Sequence, residues 1–330
     1  MEGFNNGINL GGWLSQSPLS KEHMDNFIKE DDIKAIKSMG ADHIRLPIDY
    51  MLVENEDGTE KASGYAYIDS CVGWCMRHGL NIVLDLHRAY GYSFNEAEKC
   101  TDFWHSPMCR QRFLGLWDKL SKRYGMYDFT AFDILNEIVD ESVCETWNAL
   151  AADAISVIRK NAPDNWIIVG GTRYNSIFTV KDIADFGCHK IAYSFHFYEP
   201  YIFTHQGACW ESFMPDDFRI EYPLTAEQYQ NTAIEKLNGQ CTGIFQCMDS
   251  RDCGIQMLEA LFGDALTVSS ERNIPLYCGE YGVIDKADKK SAMKYIADLQ
   301  NVFSKFRISR AIWTYKGLNF GISEREIGIG

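Results

Sequence analysis

Apolar and β-branched residues cluster along this chain in short runs, at 7–13 (GINLGGW), 43–48 (HIRLPI), 81–87 (NIVLDLH), 129–137 (FTAFDILNE), 166–171 (WIIVGG), 191–198 (IAYSFHFY), 275–282 (PLYCGEYG) and 310–315 (RAIWTY). Most are near-continuous rather than alternating, which is the mark of strands buried on both faces in a parallel sheet. Between most of them lie segments with helical periodicity. "EDDIKAIKSMG" at 30–40 opens on acids and stops at Gly40, and "CRQRFLGLWDKLSKRYG" at 109–125 closes on basic residues and Gly125, as helix dipoles and stops require. Eight such strands alternating with helices predict an α/β fold, a (β/α)8 barrel. No low-complexity linker interrupts it, so residues 1–330 are expected to form one domain.

Two stretches depart from the repeat. The gap between the sixth and seventh strands, 199–274, is longer than a barrel connection needs, and it contains helix-like pieces near 225–237 and 254–270. It predicts a helical subdomain inserted over the barrel mouth, as one wall of a substrate cleft. At the other end only "KGLNFGISEREIGIG" follows Tyr315. A full eighth helix hardly fits there, and the expectation is an incompletely closed barrel.

Composition narrows the function. With 46 acidic against 32 basic residues, the formal charge is −14; this argues against nucleic acid, whose binding rests on basic contacts to phosphate, and favours a neutral substrate. No apolar run reaches the roughly 18 residues of a membrane span, and "MEGFNNGINLGGW" has no signal-peptide pattern. The eleven cysteines are scattered and odd in number, which reads as reduced thiols in a cytoplasmic protein rather than a disulfide framework, with release by an unrecognised route left open; a monomer is expected. Cys241, Cys247 and Cys253 recur at a spacing of six but lack a C-x-x-C pair or a neighbouring His, so no metal and no cofactor is expected.

Candidate chemistry appears where the strands end, since barrel enzymes place their active sites at the C-terminal ends of the strands. The second strand delivers Arg45, the third His87, the fourth Asn136 and Glu137, the sixth His196 and Tyr198, the seventh Glu280 and the eighth Trp313. A single strand-end histidine is usually a satisfied structural residue, but eight such groups on one face exceed what stability demands. Glu137 and Glu280 lie far apart in sequence and are brought together only by barrel closure. Paired carboxyls about 5 to 5.5 Å apart perform retaining glycoside hydrolysis, one attacking the anomeric carbon and the other protonating the leaving oxygen. Arg45 and Tyr198 can hold one carboxylate ionised while burial raises the other. Asn136 suits a sugar hydroxyl and Trp313 a stacking floor.

The set "IRLP", "LDLH", "LNE", "HFY", "GEYG" and "IWTY", in order from residue 7 to about 317, resembles glycoside hydrolase family 5, the retaining cellulase family. It looks most like the bacterial endoglucanases of that family that lack a signal peptide and carry an inserted subdomain after strand six. The resemblance implies that Glu137 is the acid/base and Glu280 the nucleophile, with Arg45, His87, Asn136, His196, Tyr198 and Trp313 in support. Arg88 stands where related enzymes often have a second histidine, next to a sugar subsite. Trp104, Tyr198, Tyr201, Phe203 and Trp210 fall in loops above the barrel, where they can stack on sugars or, for the insertion's aromatics, fill its own small core. The expected partner is a β-1,4 or mixed β-1,3/1,4-glucan or an oligosaccharide of it; a mannanase, xylanase or 1,3-glucanase would use the same catalytic set. Two other classes compete. A metal-dependent barrel hydrolase usually takes a His-x-His pair from its first strand, which here reads "NLGGW", and a non-catalytic glucan-binding protein would lose a glutamate.

Overall fold

The computed structural model describes residues 1–95, 98, 103–246, 253–325 and 327–329. Its eight strands are β1 Asn6–Asn9, β2 His43–Asp49, β3 Asn81–Arg88, β4 Thr130–Asp133, β5 Ile167–Gly170, β6 Ile191–Phe197, β7 Leu276–Tyr281 and β8 Ser309–Ile312. They are parallel neighbours in sequence order, and β8 pairs back onto β1 with Ile312 opposite Ile8. The barrel is therefore closed, against the expectation drawn from the short C-terminus. That expectation linked closure to an eighth helix, whereas the hydrogen bonds of β8 to β1 and β7 are made by the strands alone. Among the described residues no helix follows β8. Ile322, Ile327 and Ile329 of the non-helical C-terminal segment are buried in the outer core in its place.

Helices occupy the segments between strands, and some of them start at a side-chain cap. Helix α1, Glu30–Ser38, carries Glu30, Asp31 and Asp32 in its first turn and Lys37 in its last. Helix α2 spans Ala62–His78. Helix α3, Pro107–Tyr124, starts ahead of the expected position because Ser106 caps it, accepting from the Cys109 N–H, with Pro107 in the first turn. Gly125 ends α3 without a left-handed turn, and a Cβ there would lie 2.5 Å from the Ala162 Cβ and the Ser121 carbonyl oxygen. Helix α4 is Cys144–Asn161. After β5 the chain makes only a four-residue turn, Thr172–Asn175, and a short 3-10 turn, Ile177–Asp182.

Between β6 and β7 lie α5 Ala226–Leu237, α6 Ile255–Leu261 and α7 Gly263–Arg272. Helix α5 opens with a reciprocal cap between Thr225 and Gln228 and buries Tyr229, whose ring stacks on Phe245. Residues 199–222 are tied to the barrel helix α8, Lys289–Phe306. The Tyr295 hydroxyl donates to the Glu199 carbonyl, and Tyr222 reaches Ser291 and Asp298. Cys247 falls outside the described residues, and with it the six-residue cysteine spacing.

The strands are buried along nearly their full length, yet the two faces differ. Ile44, Leu46, Ile82, Leu84, Ile167, Val169 and Phe195 pack outward under the helices. Val83, Ala131, Ile168, Ala192, Tyr277 and Ala311 form a separate apolar plug with Met1 and Phe4. Two residues further along each strand, at the same side-chain parity, the inner face turns polar with Asn9, Arg45, Asp85, Asp133 and Ser194. The apolar plug closes one end of the barrel beneath a charged layer.

Candidate active site

Arg45 stands at the centre of that layer and is fully buried. Its guanidinium donates to Asp133 at 3.0 Å, Asn9 at 3.1 Å, Asn136 at 2.8 Å and Glu280 at 2.9 Å, and its second Nη lies 3.2 Å from Asp85. Burial works against the cation, but Asp85, Asp133 and Glu280 outweigh it and hold the guanidinium protonated. The same burial pushes the Asp85 and Asp133 carboxyls up against the pull of Arg45. Asn9 completes the layer by donating to the Gly279 carbonyl.

Above it, β6 and β7 fall out of step. Phe195 pairs with Cys278 and the next residue, His196, pairs with Glu280, so that Gly279 is skipped. This bulge turns both functional side chains to the same side. Glycine at the skipped position avoids a tight contact, since a Cβ there would lie 3.0 Å from His196 Nε2.

Glu280 has a partner on each oxygen: Arg45 on Oε1 and the Tyr198 hydroxyl on Oε2 at 3.0 Å. Burial, together with Glu280 and Glu137, raises the Tyr198 phenol well above its ordinary value, so it remains a donor. Glu137, whose side chain is 14% exposed, receives no cation directly. Burial raises its carboxyl to about 8, with Arg45 opposing and Asp85 adding. Its Oε1 lies 2.7 Å from His196 Nδ1, which is 3.6 Å from Glu280 Oε2. Burial drops His196 to about 3, so the ring is neutral. Its Nε2 is buried without a partner among the described residues. An unpaired ring acceptor there costs less than an unpaired N–H, which assigns the proton to Nδ1, facing both glutamates. The second oxygen of Glu137 is then free to carry a transferable proton.

His87 is neutral as well, lowered to about 3 by burial. It is held by Asp85 at 2.7 Å and Gln16 at 3.2 Å, and its ring lies parallel to Trp313 at 5.7 Å. Asn136 is tied to Arg45. One oxygen of Glu137, one of Glu280 and a ring nitrogen of His196 all lie within 4.8 Å of one another. That upper bound between the nearer oxygens is in keeping with the close carboxyl pairs, about 5 to 5.5 Å apart, of double displacement and falls short of the roughly 6.5 to 9.5 Å of inverting pairs.

A family model described as cellulase, glycosyl hydrolase family 5, matches residues 5–319. The chain belongs to that family. It is 38% identical to Endoglucanase C of Acetivibrio thermocellus over 99% of its own length and 95% of that protein. It is also 38% identical to Cellodextrinase A of Ruminococcus flavefaciens, over 92% of this chain and 83% of the relative. Among solved structures, Cel5A of Thermotoga maritima in complex with cellobiose superposes with a TM-score of 0.76, covering 97% of this chain and 92% of its own at 23% identity; that likeness speaks to the fold.

In this family 5 enzyme the eight strand-end residues read from sequence converge, whereas Arg88 and the loop residue Trp210 do not join them. Arg88 turns away from the carboxyl pair to Asp49 at 3.5 Å and Glu98 at 2.9 Å. Trp210 is 49% exposed and meets only the edge of His205 among the aromatic contacts of the described residues. Of the other loop aromatics, Phe203 is core, packed on Tyr222 and Tyr295, and Trp104 packs on Tyr92, Phe103 and Trp147. Glu137, His196 and Glu280 also form a set that can offer three atoms to a metal ion. Arg45 already places a positive charge 2.9 Å from Glu280, which disfavours a second cation there.

Sequence reasoning passed over Asn9, Gln16, Asp85, Tyr92 and Asp133. A signal existed for three of them: in "NLGGW", "LDLH" and "FDIL" a single polar residue interrupts an apolar strand at the parity of the strand-end catalytic groups. For Gln16 and Tyr92, both in loops, there was none.

Proposed function

We propose that this protein is a retaining β-glucanase acting on β-1,4 or mixed β-1,3/1,4-glucans and their oligosaccharides by double displacement. The reading is carried by one observation: two glutamates with one oxygen each within 4.8 Å of the other, in opposite environments, one bonded to a guanidinium and a phenol, the other raised by burial. Glu280 is the nucleophile and Glu137 the acid/base. The carboxylate of Glu280 attacks the anomeric carbon while Glu137 protonates the departing oxygen; Glu137 then takes a proton from water as that water displaces Glu280. His87, Asn136 and Trp313 line the sugar site. Family membership supports the reaction class, and the similarity to an endoglucanase and a cellodextrinase supports the β-glucan substrate.

The insertion's first residues, 201–210, form a wall of the substrate cleft within a single domain. His205 packs edge-on to Tyr198 at 5.0 Å, and Ala208 shares a cluster with Trp313 and Phe320, which supports that placement. The enzyme works as a monomer without metal or cofactor. A reducing-sugar assay over β-glucans, β-mannan and xylan, with and without chelator, tests substrate and metal dependence together. Activity greatest on β-glucan and indifferent to chelator is expected. Following the first-formed product anomer by NMR tests retention: an initial α-anomer from a β-linked glucan would refute it.

A further inference from the structure

Glu137 has no strand beneath it. The ladder of β4 ends at Asp133, and the main chain that carries the acid, 136–139, continues as irregular backbone. Such backbone needs partners from elsewhere once it is buried. The Asn136 N–H finds the Leu86 carbonyl, and the Ile138 carbonyl accepts from the Tyr174 N–H. The Glu137 carbonyl and the Val139 N–H are satisfied by one group: the Tyr92 hydroxyl donates to the Glu137 oxygen at 2.7 Å and accepts from the Val139 N–H at 3.0 Å. A single phenol thus closes the turn around the acid. Tyr92 is itself buried, with its ring against Phe103 at 5.4 Å and Trp104 at 5.3 Å. Those two aromatics are lodged in turn against Phe113 and Trp147.

We propose that Tyr92 is a positioning residue for proton transfer, fixing the Glu137 carboxyl by clamping the backbone on either side of Ile138; this rests on Glu137 being the acid/base. The hydroxyl never meets substrate. It sets where the acid stands relative to the leaving oxygen, in a reaction where a misplacement of about 1 Å costs roughly 100-fold.

Tyr92→Phe tests this, since it removes the hydroxyl and keeps the ring packing. A series of aryl β-cellobiosides with leaving groups of graded acidity, read as kcat/KM, reports glycosylation alone. The variant should lose about 10- to 100-fold on the poorest leaving group and change little on the most activated. The basic limb of its pH profile should move to lower pH as water reaches the loosened carboxyl. Labelling of Glu280 by a 2-deoxy-2-fluoro cellobioside with a dinitrophenolate leaving group needs no acid and should run at the parent rate. A loss equal across the series, or slowed labelling, would mean general damage and overturn the proposal, as would no loss at all. Glu137→Ala on the same series separates the premise. If it too fails to discriminate between leaving groups, the acid assignment itself falls; if it discriminates and Tyr92→Phe does not, only the role of Tyr92 is lost.

Discussion

Glu280 and Glu137 are the same side chain in two kinds of setting. Glu280 belongs to β7, where its backbone is still paired with β6 and its carboxylate has a guanidinium on one oxygen and a phenol on the other. Glu137 lies four residues beyond its strand, on backbone held by loop contacts, and its carboxyl meets a neutral imidazole. A nucleophile has to stay charged in a dry site, which takes fixed donors on a rigid element. An acid has to keep its proton until the leaving group departs, which takes burial without a cation. On the proposed assignment, the roles follow from what each carboxyl is bonded to and not from the residue type.

The harshest way to break this comparison is Glu280→Ala. With no nucleophile, activity should fall on the order of 10⁴-fold or more whatever the leaving group. Azide added to this variant attacks the substrate directly and should give an α-glycosyl azide, identified by NMR. Next in size, Glu137→Ala should lose roughly 10²- to 10⁴-fold on unactivated substrate and keep glycosylation on an activated aryl glycoside. Azide should restore its turnover and give the β-glycosyl azide; an α product here would exchange the two assignments.

A milder change sharpens the Glu280 side. Tyr198→Phe removes one charge-assisted hydrogen bond, worth about 1.5 to 3 kcal/mol. It should lower kcat/KM by about 10- to 100-fold, equally for good and poor leaving groups, whereas the Glu137 side discriminates between them. A leaving-group dependence in Tyr198→Phe would show that the two regions are not separable.

The smallest effect concerns stability. Burial raises the Glu137 carboxyl from 4.5 to about 8, so the folded chain holds this proton more tightly than the unfolded chain does. Stability from this group is full below about pH 4.5 and declines as the pH rises toward 8. Glu137→Gln has no proton to hold, and should melt a few degrees above the parent at pH 8 and level with it near pH 4. Equal differences at both pH values would remove burial of the carboxyl as the cause.

The barrel and the strand-end placement of the two glutamates were legible from the sequence because strand period and strand-end position are local properties. "FDILNE" reads as apolar strand followed by amide and acid in any fold of this class. The bulge between β6 and β7 was not legible: "GEYG" does not say which of its first two residues will face His196, since that depends on the register of a separate strand. Nor was closure of the barrel after a non-helical C-terminus, because three buried isoleucines spread over 322–329 carry no periodicity. Phe203 looked the same in sequence as Trp210, yet one is core and the other half exposed, a difference made by the helix α8 that packs over the first.

By itself, the sequence determined the eight-strand repeat, the length of the insertion, and the identity of the acids, the arginine and the aromatics at the strand ends. All of these follow from side-chain period and local propensity, which act within a few residues. The tertiary structure alone decided which glutamate faces Arg45, that Asp85 and Asp133 share its charge, and that a tyrosine from the loop after β3 holds the backbone of the acid. Charge, burial and hydrogen bonding act through space, and the residues that set the two carboxyls apart come from strands and loops far removed in the chain.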